Sequence, residues 1–444
     1  MKKDIQGTFL AEIIDIALPE SWGVVKKDGA VCFIPDGTGI VGDKVKINPL
    51  KKQKNYFFGE IIEITETSPF KVTPDCPHFD KCGGCVLQNL KYDKQLEIKL
   101  KYLKKTLKSI GSVKDDLLDN LSITPSKDLF GYRNKMEYSI KTVDGKTQVG
   151  LKERVSPIRQ YTQQITPIKE CAIFGKVASI IFDIFRNFAD NNLGIDYKKL
   201  VLKRGKNTNE IMVVLVTTKG DILKIDDLAE QLNNAIPEIK SFYWVEETVD
   251  RHFGEIKKIF GQEYIEETIG KIKCKIYPQT FFQTNTYIAN LIYDKIIEFA
   301  DKTEQILGLY CGSGTMEMFL SKIAKTVIGI DSDLTNIKNA VQNCEINSID
   351  NCKFYRRRVE KIKDLNFDAD LLLVNPPRTG LTKKAMQQVL ALNAPRMIYI
   401  SCSPATLSRD IKRLQSASYT PKKVDAFDMF PHTSHIETVV LLEK

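Results

Sequence analysis

The sequence predicts a multidomain chain: a small N-terminal β-barrel, a central α+β domain fed by a cysteine-rich loop, and a C-terminal doubly wound α/β domain. Three observations carry this. The 444 residues suit about two to four domains. Short alternating strands divided by Gly- and Asp-containing turns fill residues 1–68. From Pro278 the pattern becomes strand, glycine turn, helix, strand with a terminal acid, the order of a parallel sheet with helices on both faces.

The N-terminal segment has turns at Lys27-Asp-Gly29, Pro35-Asp-Gly37 and Val41-Gly-Asp43, and alternation in Val31–Ile34, Lys44–Asn48 and Phe57–Ile64. Those features predict a compact antiparallel barrel. The run Lys51-Lys-Gln-Lys54 beside Tyr56, Phe57 and Phe58 sets cations among aromatics, as oligonucleotide-binding barrels do, or forms a solvated hairpin tip. The net charge of +9 has the sign expected of a nucleic-acid partner without proving one. No run of eighteen apolar residues is present, which excludes a spanning helix. The charged start Met1-Lys-Lys-Asp lacks the apolar stretch of a signal peptide, so a cytoplasmic protein is expected.

Residues 69–92 contain Cys76-Pro-His-Phe-Asp-Lys-Cys82-Gly-Gly-Cys85. Three thiolates this close, with two glycines allowing a tight wrap, suit a metal centre. A fourth ligand must come from elsewhere, and Cys171 is the best candidate. The spacing C-x5-C-x2-C plus a remote Cys fits a cubane [4Fe-4S] cluster, whose ligands here would all be sulfur. Structural zinc usually pairs two short knuckles, and only one is present. His78 reads as part of the loop.

Residues 93–124 form a linking segment. Leu96, Ile98, Leu100, Leu103 and Leu107 recur at helical spacing and predict an amphipathic helix from Leu87 to Ile110, closed by Gly111. Residues 125–277 mix strands at Tyr132–Lys141, Gln148–Leu151, Glu210–Thr217 and Phe242–Glu246 with a helix from Phe174 to Asn191, a second α+β domain. Arg133 and Lys135 are candidate RNA contacts there.

Residues 278–444 open with Phe281-Phe-Gln283-Thr-Asn285 and a helix from Thr286 to Ala300. Then come Leu309-Tyr310-Cys-Gly312-Ser-Gly314, a strand ending in Asp331, a helix from Leu334 to Ile346, and a strand running into Asn375-Pro-Pro-Arg378. The glycine signature is G-x-G, not the full dinucleotide fingerprint. Gly312 and Gly314 let the backbone approach a bulky ligand, and Asp331 is placed to hold two ribose hydroxyls. With no phosphate-cradling loop, S-adenosylmethionine is the best fit.

The stretch Met397–Asp410 reads as a buried strand that breaks at Ser401-Cys402-Ser403-Pro404 and restarts as a helix. Ser403 suits its N-cap and Pro404 its first turn. Cys402 then stands at the carboxyl end of a strand beside a helix N-terminus, where the dipole favours thiolate. Glu437 precedes a final apolar strand that would bring it to the same edge of the sheet. A nucleophilic thiolate with a carboxylate base suits methylation at carbon 5 of a pyrimidine. That carbon becomes nucleophilic once a thiolate has added to carbon 6, and the carboxylate then takes the carbon 5 proton.

On these residues the chain resembles the RNA (uracil-5-)methyltransferases, specifically their iron–sulfur ribosomal RNA branch. The resemblance covers nearly the whole chain. It implies a TRAM domain over residues 1–68, cluster ligands at Cys76, Cys82, Cys85 and Cys171, and a class I methyltransferase domain of Rossmann-like fold from 278. Phe282-Gln283-Thr-Asn285 and the 309–314 loop match its cofactor motifs, Ser401-Cys-Ser-Pro404 its nucleophile motif, and His435-Ile-Glu437-Thr its base motif. It further implies that Gln283, Tyr310, Asp331 and Asn375 contact S-adenosylmethionine or the target. The linking helix would pack on the methyltransferase domain, and the protein would be a monomer. Two positions depart: the family usually carries Asp where Gly308 and Asn375 stand. The implied substrate is 23S ribosomal RNA, with the T-loop of transfer RNA as the alternative. Two other readings are an exocyclic-amine methyltransferase, which shares Asn-Pro-Pro but follows it with an aromatic where this chain has Arg378, and an RNA-binding iron–sulfur protein with a weakened enzyme domain.

Overall fold

The computed structural model describes residues 7–35, 37, 39–154, 164–192, 194–218, 222, 224–247, 253–362 and 367–444. The charged start and Asp36 of the Pro35–Gly37 turn lie outside them.

Strands β1 (Phe9–Glu12), β2 (Asp15–Ala17), β3 (Trp22–Lys27), β4 (Ala30–Ile34), β5 (Lys44–Lys52) and β6 (Tyr56–Glu66) form one sheet ordered β1-β5-β6-β4-β3-β2. The expectation of purely antiparallel pairing is corrected at one place, because β4 and β6 run parallel. The alternation in these strands buries Val25, Cys32, Val45 and Ile47 in one core, joined by Ile13 from between β1 and β2. Asp43 ties off the sheet: its Oδ2 accepts from Ile40 N at 2.9 Å and its Oδ1 from Ser68 N at 2.7 Å.

The cysteine segment follows, and then α1 (Tyr92–Ser109), α2 (Asp115–Asp119) and β7 (Ile123–Thr124). The helix begins at Tyr92, not Leu87, because the preceding backbone is used elsewhere. The amides of Val86 and Leu87 both donate to the His432 carbonyl, at 2.8 and 3.0 Å. Leu103 and Leu107 of α1 enter the core beneath the C-terminal sheet, where the spacing of its leucines aims them.

The central sheet is ordered β10-β9-β8-β11-β12-β13-β14. Its strands are β8 (Lys135–Val143), β9 (Lys146–Lys152), β10 (Ile165–Pro167), β11 (Tyr197–Arg204), β12 (Ile211–Thr217), β13 (Ile239–Glu247) and β14 (Phe253–Gly261). Helix α3 (Val177–Asp190) lies over it. Helix α4 (Ile225–Ala235) is the crossover that makes β12 and β13 the sheet's parallel pair. A hairpin of β15 (Ile265–Ile269) and β16 (Ile272–Ile276) leads on. Its Ile265 and Ile276 share one continuous core with Val214 of the central sheet and Ile306 and Ile398 of the next.

The C-terminal sheet is ordered β19-β18-β17-β20-β21-β23-β22-β7. Its elements after α5 (Thr286–Ala300) are β17 (Thr303–Leu309), α6 (Thr315–Leu320), β18 (Ala324–Asp331), α7 (Leu334–Ile346), β19 (Cys352–Arg356), β20 (Leu371–Val374), α8 (Lys383–Ala391), β21 (Arg396–Ser401), α9 (Pro404–Gln415), β22 (Thr420–Phe427) and β23 (Glu437–Glu443). From β19 to β21 all neighbours are parallel, whereas β23 enters antiparallel between β21 and β22. Strand β20, Leu-Leu-Leu-Val, is buried at every residue, as a central parallel strand covered on both faces must be. Each such side chain contributes about 1.5–3 kcal/mol by burial. The short β7 at the far edge was not legible as a strand; pairing with β22 creates it.

Candidate active site

The loops at the carboxyl ends of the parallel strands meet at one edge of this sheet, the edge at which open α/β sheets take ligands. The β21–β23 register sets Ser401 opposite Thr438. Cys402 leaves the strand directly after that last pair, and the Glu437 carboxylate that opens β23 lies close enough to act on its thiol. Burial pushes the Cys402 thiol up to about 11; the Glu437 carboxylate adds to that rise, and the Arg378 guanidinium opposes it. Burial likewise raises the Glu437 carboxyl to about 8, against Arg378. Glu437 is 5% exposed, so it is not a solvated strand-edge charge. The expectation that the helix N-terminus makes Cys402 a thiolate is corrected: in the unliganded protein, desolvation and a neighbouring carboxylate outweigh it. Pro404 does open α9 after Ser403, although Ser403 makes no side-chain cap bond; its own amide donates to Ser401 Oγ at 3.1 Å.

Arg378 was read as an RNA contact. It is exposed and lies beside Cys402 and Glu437, on a loop that α9 anchors. Thr406 Oγ1 donates to the Arg378 carbonyl at 3.0 Å, and Asp410 Oδ2 accepts from Leu381 N at 2.8 Å.

The expected cofactor residues surround the neighbouring strand ends. Asp331 closes β18, and its Oδ2 accepts from Gly312 N at 3.0 Å while its Oδ1 accepts from Asp333 N at 2.9 Å. Tyr310 and Gly312 both adopt left-handed φ, 62° and 54°. A Cβ at Gly312 would meet nothing within 4 Å, leaving its outer side open for a ligand. Gly314 packs tightly below it: a Cβ there would stand 2.6 Å from the Phe354 ring. Asn375 follows β20, its amide donating to the Leu309 carbonyl at 3.3 Å. Gln283 lies between β16 and α5, its carbonyl accepting from Asn134 Nδ2 at 2.7 Å. Beside these residues opens a cleft of about 610 Å³ lined by Tyr310, Asp331, Arg357, Arg358, Lys383 and Lys384 among others.

Two further residues were expected to touch RNA. Arg133 pairs in a backbone bridge with Asn285, and its guanidinium lies 5.9 Å from the Phe430 ring centre. Lys135 is paired with Glu137 at 2.8 Å.

The loop between β22 and β23, which delivers Glu437, is gripped from several sides. Lys99 Nζ donates to Asp428 Oδ1 at 2.6 Å and to the Phe430 carbonyl at 3.1 Å, with neither Lys99 nor Asp428 side chain exposed. Tyr92 Oη donates to Asp428 Oδ2 at 2.9 Å. Gln95 Oε1 accepts from His432 N at 3.1 Å, and Tyr132 Oη donates to the Pro431 carbonyl at 3.1 Å. Asn285 Nδ2 reaches the Met429 carbonyl at 3.3 Å. Sequence reasoning missed Tyr92, Gln95, Lys99 and Tyr132. The one signal was a lysine at position 99, on the apolar face of α1 next to Ile98.

Cys76, Cys82, Cys85 and Cys171 line one small cavity with His78, Leu151 and Ile173. Burial raises all four thiols, Cys85 to about 12 and Cys171 to about 11. Each is further raised by a neighbouring acid, which for Cys82, Cys85 and Cys171 includes the other cysteines. The Tyr138 hydroxyl lies against Cys171. Among the described residues no three His, Cys, Asp or Glu side chains close on a single point as one bare ion requires.

Comparison with known proteins matches this arrangement to a family. Residues 206–444 fit the model of the tRNA (uracil-5-)-methyltransferases. The chain belongs to that family. An uncharacterised RNA methyltransferase of Halalkalibacterium halodurans is 34% identical over 95% of this chain and 94% of its own length. One from Caldanaerobacter subterraneus is 34% identical over 91% and 92%. Among solved structures, the Pyrococcus abyssi tRNA (uracil-54, C5)-methyltransferase in complex with S-adenosyl-L-homocysteine superposes with a TM-score of 0.77 at 28% identity, covering 97% of this chain and 99% of that one. The multidomain α/β fold with its β-rich N-terminal region is therefore that of an RNA methyltransferase. No helix of the described residues is long and apolar enough to cross a membrane.

Proposed function

We propose that this RNA methyltransferase transfers a methyl group from S-adenosylmethionine to carbon 5 of a uridine in 23S ribosomal RNA, through a covalent bond from Cys402 to carbon 6. The observation that carries the reading is the meeting of three groups at these strand ends, the Cys402 thiol with the Glu437 carboxyl and the Arg378 guanidinium beside it. Asp331, Tyr310, Gly312, Gly314, Gln283 and Asn375 form the cofactor's end of the same sheet edge. S-adenosylmethionine supplies an electrophilic methyl group there.

Cys402 adds to carbon 6 as a thiolate, and the electron pair displaced onto the base makes carbon 5 nucleophilic. Carbon 5 takes the methyl, and S-adenosylhomocysteine leaves. Glu437 then removes the carbon 5 proton, the S–C6 bond breaks and the thiolate is regenerated. A cation beside Cys402 and Glu437 favours the ionised forms of both, which is what the Arg378 guanidinium does. The target base must leave its stack to reach them. The first sheet, with its TRAM-like strand pattern, and Arg133 would hold the RNA, and Lys135 would contribute after exchanging Glu137 for a phosphate.

The four-cysteine cavity supports a [4Fe-4S] site. Its donors are all sulfur, as a cubane here needs, and a cubane spaces its ligands wider than a single zinc ion does. Such a cluster would offer a covalent cross-link between the 76–85 loop and Cys171. A cytoplasmic monomer fits a ribosomal RNA substrate. A second reading, methylation of the transfer RNA T-loop, is favoured by the full-length likeness to an enzyme of tRNA uracil-54.

Nucleoside mass spectrometry tests this, using unmodified ribosomal and transfer RNA, anaerobically purified protein and labelled S-adenosylmethionine. The expected product is 5-methyluridine in 23S RNA, abolished by Cys402→Ala. Label in transfer RNA would select the second reading. Label in a methylated purine would overturn the Cys402 chemistry. No label in either pool, with the cofactor bound, would make the chain a binding protein.

A further inference from the structure

Glu317 is a carboxyl group that the mechanism above does not use. It lies in α6, just past the glycine turn, and is 2% exposed. Its Oε2 has no hydrogen-bond partner. The charged group that acts on it is Asp331, and its own charge is felt by Cys311, Cys352 and Tyr293, all of them acids. Burying an ionisable acid with an unused acceptor and no cation is unfavourable by any account of desolvation. Burial accordingly raises the Glu317 carboxyl to about 8, and a cation placed against it would favour its ionised form.

Its location says which ligand. A Cβ added at Gly308 would stand 2.1 Å from Glu317 Oε1 and 3.0 Å from its Cδ. The carboxyl therefore fills the space over the carboxyl end of β17, two residues before Tyr310, on the strand that delivers the glycine turn. Neither residue explains itself alone. Gly308 is needed because Glu317 occupies the room, and Glu317 has that room because residue 308 has no side chain.

We propose that the Glu317 carboxylate binds the α-ammonium group of the cofactor's amino-acid end from beneath the glycine turn. The inference rests on S-adenosylmethionine being the methyl donor. The sulfonium is the other cation on offer, but it has no hydrogen to donate. An ammonium has three N–H donors and satisfies both the charge and the unused Oε2.

Isothermal titration of purified full-length protein decides it, with S-adenosylmethionine, S-adenosylhomocysteine and 5′-methylthioadenosine, which keeps the nucleoside and lacks the amino acid. Glu317→Gln keeps the shape and removes the charge. It is expected to weaken the first two ligands equally, by about tenfold to a hundredfold, and to leave methylthioadenosine unchanged. The double variant Gly308→Asp with Glu317→Ser moves the carboxylate to the strand and recovers most of the loss. Unchanged affinity for all three in Glu317→Gln would overturn the proposal. So would loss confined to S-adenosylmethionine, which would mean a sulfonium contact, or equal loss of all three, which would mean a purely structural acid. Wild-type protein that binds neither amino-acid ligand would instead overturn the cofactor assignment on which the proposal stands.

Discussion

Five of the ten cysteines are candidates for chemistry, and they divide into two regions that use the same thiol in opposite ways. Cys402 stands at a strand end, half-buried, with a cation and an acid against it. Cys76, Cys82, Cys85 and Cys171 converge on a small cavity against apolar Leu151 and Ile173, with sulfur as the common neighbour. A thiol needs an adjacent cation and a proton acceptor to become a nucleophile, whereas several thiols around one space suit a soft metal centre. Neighbours, not the residue type, assign the chemistry. The two regions are also mechanically joined. Val86 and Leu87, directly after Cys85, hold the His432 carbonyl, and His432 lies five residues before Glu437 in the sequence.

The largest expected effect separates the regions outright. Cys402→Ala should lower methyl transfer by at least about 10⁴-fold while leaving the iron of the proposed cluster at the wild-type level. Cys171→Ser should do the reverse to iron, removing it, with activity lost only as far as the loop moves. Metal analysis beside the labelled-methyl assay checks both, and equal iron loss in the two variants would dissolve the distinction.

Removing one partner of the buried Lys99–Asp428 pair comes next. Lys99→Met leaves Asp428 buried without its cation and should cost about 3–5 kcal/mol, measured by denaturant unfolding. It should depress activity further than stability alone explains, because Asp428 opens the loop that delivers Glu437.

Glu437 gives a smaller, pH-dependent effect. Its folded pKa of about 8 lies above the ordinary carboxyl value, so the folded state binds this proton more tightly than the unfolded chain. That contribution is full below about pH 4.5 and is lost as pH rises through 8. Glu437→Gln should therefore raise Tm by a few degrees at pH 9 and leave it nearly unchanged at pH 5, followed by thermal melts at both. In the presence of RNA and cofactor the same variant should stall as a methylated protein–RNA adduct, visible on a denaturing gel.

The smallest effect is at Lys135. Paired with Glu137 and partly exposed, it should change RNA affinity by less than about threefold on substitution by Ala, within the range of a surface pair. Arg133, wedged between the cofactor loop and Phe430, should cost more.

Much of this was legible in the chain, because the signals are local. Helices at Thr286–Ala300 and Leu334–Ile346 begin and end where their spacing places them. Asn285 caps the first through Ile288 N and Asp333 the second through Thr335 N. Leu371–Val374 reads as a buried strand from composition alone. The start of α1 was not legible, since a contact with His432, more than 340 residues away in the chain, competes for the backbone that the apolar spacing would have given to the helix. Strand β7 was invisible for the same reason. The state of Cys402 was misjudged because a helix terminus can be read from neighbouring residues, while burial and the approach of Glu437 cannot.

The order of elements, the residue types at the strand ends and the cysteine spacing are properties of the sequence, because periodicity, turn chemistry and capping act over a few residues. Which groups meet is a property of the tertiary structure. Only the meeting of the β21 and β23 ends sets Glu437 near Cys402, only folding brings Arg378 to that pair, and only packing reveals that Glu317 fills the space Gly308 leaves. These pairings span 9 to 59 residues of chain. Close approach over such separations is decided by which faces bury together, and no local pattern encodes it.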